Sequence, residues 1–185
     1  EELLDDEDAS LLEFIADSIG RSVADTHNNL LLTEVAANGT ALKTFASASA
    51  IAAGEPESII YNDTLGYYLN DASNVGWVMR PSTFGAISSI TGNDRLYAET
   101  PAGSFARMLL GYRAYYSNHA TAIGASAKSV YFGDWNYVGL REAPAMRFLR
   151  DPFSVDGLVI LKYSFRAVYK VLQAGAIGYG SHPTG

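Results

Sequence analysis

With 185 residues, 48% of them apolar and 18% charged, the chain has the composition of one globular domain or two small subdomains sharing a core, not of a disordered segment. A net charge of −7 and an isoelectric point near 4.8 exclude the basic field of a general nucleic-acid binder. Cysteine is absent, which removes disulfides, thiolate nucleophiles and cysteine-based zinc sites together and leaves the redox compartment open.

No apolar run approaches the ~18 residues of a membrane span, and no signal peptide is visible. The charge is unevenly spread. Residues 1–60 hold twelve acids and two bases, a net of −10, whereas residues 61–185 hold eight acids and eleven bases, a net of +3. Such a chain can pair front to back with its own copies, or it can present a solvated acidic helix; charge alone leaves both open. The chain opens on Glu1 inside the acidic stretch, which reads as a fragment or processed product.

The first element in order is a helix over about residues 9–30, some 33 Å long at ~1.5 Å per residue. Ser10 and Glu13 have capping-box spacing, and Asp5, Asp6, Glu7 and Asp8 precede them where carboxylates favour the positive end of the helix dipole. Leu11, Ile15, Ile19 and Val23 recur every four residues, widened by Leu12 and Ala16. Residues 33–55, rich in Ala, Ser and Thr with an Asn-Gly pair, read as a loop or weakly structured connection.

A second helix is expected in "EPESIIYNDTLGYYLNDA", with Pro56 in its first turn. A buried strand over Val75–Met79, an Arg-Pro break, a short helix over Ser82–Ile90 and a Gly-Asn turn follow. "LLGYRAYYS", "KSVYFGDW", "YVGLR" and "AMRFLRD" read as strands, then a long ribbon from about Leu158 to Gln173 and a last short strand in "GAIGYGS". The fold class is α+β, with a long helix in front and sheet behind.

Catalytic chemistry is sparse. His27, His119 and His182 are scattered, none has a second ligand at metal spacing, and the expectation is three surface residues. "GAIGYG" has its glycines in the wrong order for a phosphate loop and reads as a flexible strand end. Ser126 and Lys128 in "GASAK" carry no signal beyond a small-residue turn. Asp134 and Glu142 have the residue types of a sugar-cleaving pair, but Asp134 sits in a Gly-Asp-Trp turn where aspartate commonly bonds its own backbone. Among twelve tyrosines, Tyr67, Tyr68, Tyr115, Tyr116, Tyr131 and Tyr137 suit either a ligand groove or protein contact area, and the lack of chemistry near them favours contact.

The order of features resembles the major capsid proteins of tailed bacteriophages, with their Hong Kong 97-type fold. "EELLDDEDASLLEFIADSIGRSVADTHNNLLL" resembles the approach to the family's spine helix and the helix itself. Asn38-Gly39-Thr40 resembles the turn after it, and "VGWVMRPSTFGAISSI" is similar to the W-x-M-[NR]-P-x-T passage of the axial domain. "LLGYRAYYS" and "VYFGDWNYVGLREAPAMRFLRD" resemble the L-x-G-x-P-[VY] strand and the F-G-D-[FW] turn, with Arg113 standing where the strand motif has Pro.

The resemblance covers nearly the whole chain, and only the ordered set is specific. It implies an axial domain over residues 31–134 and a peripheral domain of residues 1–30 and 135–185. The family's N-terminal arm and extended loop, which embrace neighbouring subunits, precede the spine helix, and the chain as given resembles the core without them.

The resemblance further implies a non-enzymatic subunit without cofactor or metal that forms pentamers and hexamers of an icosahedral shell. The shell would enclose DNA held only non-specifically, with no membrane partner. The product would be made in the bacterial host cytoplasm and end in the virion, and the resemblance admits scaffold, protease or portal proteins as further partners. Candidate contacts between copies are Asp5, Asp6, Glu7 and Asp8 on the acidic side and Arg147, Arg150, Arg166 and Lys170 on the basic side.

Some relatives cross-link through a Lys–Asn isopeptide bond promoted by a Glu. By resemblance the Asn position falls on Asp156 and the Glu position on Tyr163, while the lysine belongs to the missing loop. A carboxylate cannot release ammonia, and a phenol is a poor base at neutral pH, so no cross-linking is expected. The competing readings are an encapsulin-like nanocompartment shell, a small hydrolase using Asp134, Glu142 or His119, and an aromatic-rich carbohydrate-binding module.

Overall fold

The computed structural model describes residues 9–69, 74–90, 108–143, 147–155 and 158–185. Helix α1 runs from Ala9 to Asn38, thirty residues and ~45 Å, eight residues beyond the end expected from its stripe. Ile15, Ile19 and Val23 form the half-buried stripe, joined by His27, and the helix continues because Leu32 and Val35 extend the same spacing into a buried core. The expected loop over 33–55 is therefore corrected at its start. The helix gives way at Gly39, whose N–H donates to the Val35 carbonyl at 2.9 Å, and strand β1 (Thr40–Thr44) follows directly. The acidic residues Asp5–Asp8 and the Ser10 side chain of the proposed capping box lie outside the described residues and side chains.

The second expected helix divides in two. Helix α2 (Glu55–Ile60) carries Pro56 in its first turn, and the Asn62 side chain accepts from Thr64 N–H to start helix α3 (Asp63–Gly66). Strand β2 (Val75–Met79) coincides with its expected bounds, and helix α4 (Pro81–Ser88) begins at the proline after Arg80. Strands β3 (Met108–Leu109), β4 (Tyr112–Tyr116) and β5 (Lys128–Asp134) follow, then β6 (Val138–Glu142), β7 (Arg147–Val155), β8 (Leu158–Ser164), β9 (Ala167–Val171) and β10 (Ile177–Ser181). The long ribbon expected over 158–173 is two strands, broken at Phe165–Arg166. The Gly92-Asn93 turn lies outside the described residues.

Six strands form one sheet in the order β1-β10-β5-β2-β4-β3. The pairs β1–β10 and β2–β4 are parallel, and β10–β5, β2–β5 and β3–β4 antiparallel. Strands β2 and β5 lie inside the sheet and are buried on both faces along most of their length, with Ser129 and Asp134 the buried polar residues of β5. Side chains alternate along β5. Val130 and Phe132 join Trp77, Met79, Leu109, Ile59, Leu65 and Ile87 on one face, while Tyr131 joins Leu32, Val35 and Ile177 on the other. Trp77 stacks on Phe132 at 4.1 Å between ring centroids and donates its indole N–H to the Leu109 carbonyl at 2.9 Å, so a large apolar ring is buried with its polar group satisfied.

The chain divides into two compact units, one of Glu1–Leu30 with Leu140–Tyr169 and one of Leu31–Gly139 with Lys170–Gly185. Strand β10 lies inside the six-stranded sheet of the second unit, so segment 135–185 does not stay together in one unit. The first unit contains the β7–β8 hairpin, with Arg147 opposite Ser164 and Phe148 opposite Tyr163.

Candidate functional site

Each of the three residues proposed for hydrolysis has a partner of its own. Asp134 is buried, and its Oδ1 accepts the Asn136 N–H at 2.9 Å, closing the turn that its Gly-Asp-Trp setting implied. Glu142, in the first unit, places Oε1 3.1 Å from Nε2 of His27. His119 belongs to the second unit, where its own N–H donates to Ser117 Oγ at 3.2 Å. Among the described residues no group of three or more His, Asp or Glu could hold a metal ion.

His27 and His182 are both corrections to the surface reading. His27 is half-buried in the first unit, with Nδ1 3.0 Å from the Tyr169 hydroxyl and its ring stacked on Phe165 at 5.1 Å. Burial, and secondarily the neighbouring Glu142 carboxylate, push the Tyr169 phenol above the ordinary tyrosine range. His182 is 3% exposed, with Nε2 2.8 Å from Ser129 Oγ, Nδ1 2.8 Å from the Ser47 carbonyl, and Phe45 against its ring. An imidazole is buried here because both nitrogens find partners, and those partners come from distant parts of the chain. Ser129 and His182 are a buried hydroxyl–imidazole pair that the sequence did not flag, and the second ring nitrogen bonds a backbone carbonyl in place of the carboxylate that would orient a catalytic base.

The small-residue motifs also have structural roles. Lys128 Nζ donates to the Ala36 carbonyl in the last turn of α1, where a cation favours the negative end of the helix dipole, and lies 4.0 Å over the Tyr179 ring. Ser126 adopts φ 57 in the turn before it. "GAIGYG" is no flexible end. It passes into β10, where a Cβ on Gly180 would stand 2.5 Å from the Phe45 ring, and glycine lets neighbouring groups approach.

The tyrosines separate. Tyr131 is core, Tyr116 packs with Phe84, and Tyr67, Tyr68 and Tyr137 form an edge-to-face series at 5.2 and 5.3 Å between centroids. Among the described tyrosines Tyr61 and Tyr67 are the most exposed, at 81% and 78%. A groove of about 410 Å³ lined by Glu57, Ile60, Tyr61, Leu110 and Tyr112 lies in the second unit, and one of about 370 Å³ around Arg141 and Arg166 lies in the first.

Comparison with known proteins decides what this arrangement is for. The chain matches the Phage capsid family over residues 1–181. It belongs to the phage capsid family. Among solved structures it is similar to the capsid of an empty GTA particle, with 26% identity, a TM-score of 0.70, and 99% of this chain and 70% of that one covered. The capsid of a native GTA particle gives 27% identity, a TM-score of 0.71, and 99% and 69% coverage. Mycobacterium phage Adephagia, at 14% identity with a TM-score of 0.59 and 100% and 69% coverage, shares the fold. No curated protein matches.

The chain is thus a phage capsid shell subunit, a structural protein whose place is the virion capsid. For a capsid subunit the relevant side chains are those its own fold leaves outside. Arg147, Arg166 and Lys170 are exposed. The Arg150 side chain, together with residues 5–8 and Asp156, lies outside the described set, and Tyr163 is half-buried on β8.

Proposed function

We propose that the chain assembles with copies of itself into pentamers and hexamers of an icosahedral shell enclosing DNA, and that it catalyses no reaction. The observation that carries this reading is the family match over residues 1–181, with two capsid structures related at 26% and 27% identity over nearly the whole chain. A shell subunit directs its free energy to sister copies around closed symmetry axes and needs no reactive cluster.

In this reading residues 31–134 with strand β10 form the axial domain, and residues 1–30 with the β7–β8 hairpin belong to the peripheral domain. The acidic Asp5, Asp6, Glu7 and Asp8 pair with Arg147, Arg150, Arg166 and Lys170 of other copies. Synthesis is in the host cytoplasm, packaged DNA is held without sequence preference, and scaffold, protease or portal proteins act as accessory partners.

Asp156 and Tyr163 provide neither the amide nor the base of an isopeptide cross-link. Electron microscopy of the expressed protein tests the shell, and denaturing electrophoresis of the particles tests the cross-link. Closed particles that dissolve to a single band are expected; a ladder of covalent oligomers would refute the absence of cross-linking and leave the shell reading intact.

A further inference from the structure

Helix α2 and its closing residue Tyr61 set Glu57, Ile60 and Tyr61 at the spacing that shares one helical face. With Leu110 and Tyr112 they line the groove of about 410 Å³ in the second unit. Leu110 and Gly111 join β3 to β4, with Leu109 opposite Tyr112, and both take positive φ, 53 and 82. A two-residue turn of this kind favours Asn-Gly, so a leucine in it is strained. Leu110 nevertheless packs on the edge of the core, as Ile60 and Tyr112 do.

The two acids of α2 differ. Glu55 is buried, and its carboxylate accepts the Ala46 and Ala52 N–H groups at 2.6 Å each. The half-buried Glu57 carboxylate has no hydrogen bond or ion pair among the described residues. No cation stands close to it in sequence, because residues 44–79 contain four acids and neither lysine nor arginine. Arg113 follows Tyr112 on β4, and the alternation of a strand turns it to the opposite face.

We propose that this groove binds a small free alkylammonium ion, its charge held by the Glu57 carboxylate and the Tyr61 and Tyr112 rings and its stem lying on Ile60 and Leu110. The carboxylate supplies the opposite charge, and the phenol rings supply the negative faces that attract a cation. A divalent metal would require more oxygen ligands than one carboxylate provides, and an anion would meet Glu57. The volume falls within the ~300–1,000 Å³ of small-molecule sites, which favours a free amine over a lysine presented by another protein. One copy completes the site, so its failure leaves the shell reading intact.

Saturation-transfer NMR with pentylammonium chloride reads binding to single copies and closed particles alike. A Kd of about 1 mM is expected for so small a ligand, and pentanol, its uncharged analogue, should bind about tenfold more weakly. Glu57→Gln should weaken pentylammonium about tenfold and Tyr61→Leu about threefold, while Glu13→Gln on the exposed side of α1 changes nothing. An unchanged circular dichroism spectrum verifies that the Glu57→Gln chain folds. If it does not fold, Tyr61→Leu carries the test, because that ring is exposed.

Pentanol binding as tightly as pentylammonium, or binding indifferent to the variants at Glu57 and Tyr61, overturns the proposal. So does the absence of saturation transfer at about 10 mM probe. Nα-acetyl-lysine amide bound about tenfold more tightly than pentylammonium would overturn the free amine in favour of a partner protein's lysine.

Discussion

Gly178 and Thr40 face each other across the parallel β1–β10 pair so closely that a Cβ on Gly178 would stand 2.1 Å from the Thr40 carbonyl oxygen. The atom in the way is backbone inside a six-stranded sheet and has no rotamer by which to yield. Gly178→Ala should therefore cost ~2–3 kcal/mol and lower the melting temperature by ~5–10 °C. Gly20, within α1 with nothing inside 4 Å of its Cβ, is the control, and Gly20→Ala should stabilise by ~0.5–1 kcal/mol. Equal melting temperatures for the two variants would contradict this packing of β1 on β10.

His182 ties Ser129 on β5 to the carbonyl of Ser47. His182→Ala strands both partners and empties the face of Phe45, so a loss of ~2–4 kcal/mol in urea unfolding is expected. Ser129→Ala leaves a single ring nitrogen without its partner and should cost less, ~1–2 kcal/mol. The reverse ranking would mean that the histidine is not the hub of this network.

Alkaline pH should destabilise the fold through Tyr131 and Tyr169. Burial is the main cause that raises both phenols. At Tyr131 a hydrogen bond from Thr121 opposes it and Tyr179 adds to it, and at Tyr169 the Glu142 carboxylate adds to it. The folded protein keeps these protons to higher pH than the unfolded chain does. The stability they contribute is thus complete below the ordinary tyrosine value of about 10 and is lost as pH rises through the raised folded values. Melting temperatures measured from about pH 9 to 11 should fall, and Tyr131→Phe should flatten the fall. An unchanged slope in that variant would remove Tyr131 from the explanation.

How much of this was legible in the sequence follows from how local each cause is. Strand β2 is readable because Val75–Met79 is a short apolar run stopped by Arg80-Pro81, and α4 because a proline opens it. The turn at Asp134 was legible because an aspartate that bonds N–H two residues on needs nothing distant. The last eight residues of α1 were hidden by composition, since Thr33, Ala36 and Ala37 look like loop unless Leu32 and Val35 are known to meet Tyr131 and Ile177. Strand β1 was hidden for a stronger reason, because its partner β10 lies more than 130 residues away in sequence. His182 escaped similarly, for its burial depends on Ser47 and Ser129. Function was legible only as an ordered resemblance, because a capsid subunit concentrates no unusual side chains at one point.

The central claim, that this polypeptide tiles a container, is tested most directly by electron microscopy of the purified protein over a range of concentration and salt. The account predicts closed particles of uniform diameter built from rings of five and six copies. Single copies under every condition, with a chemical activity that disappears on substitution of His119, Asp134 or Glu142, would contradict it.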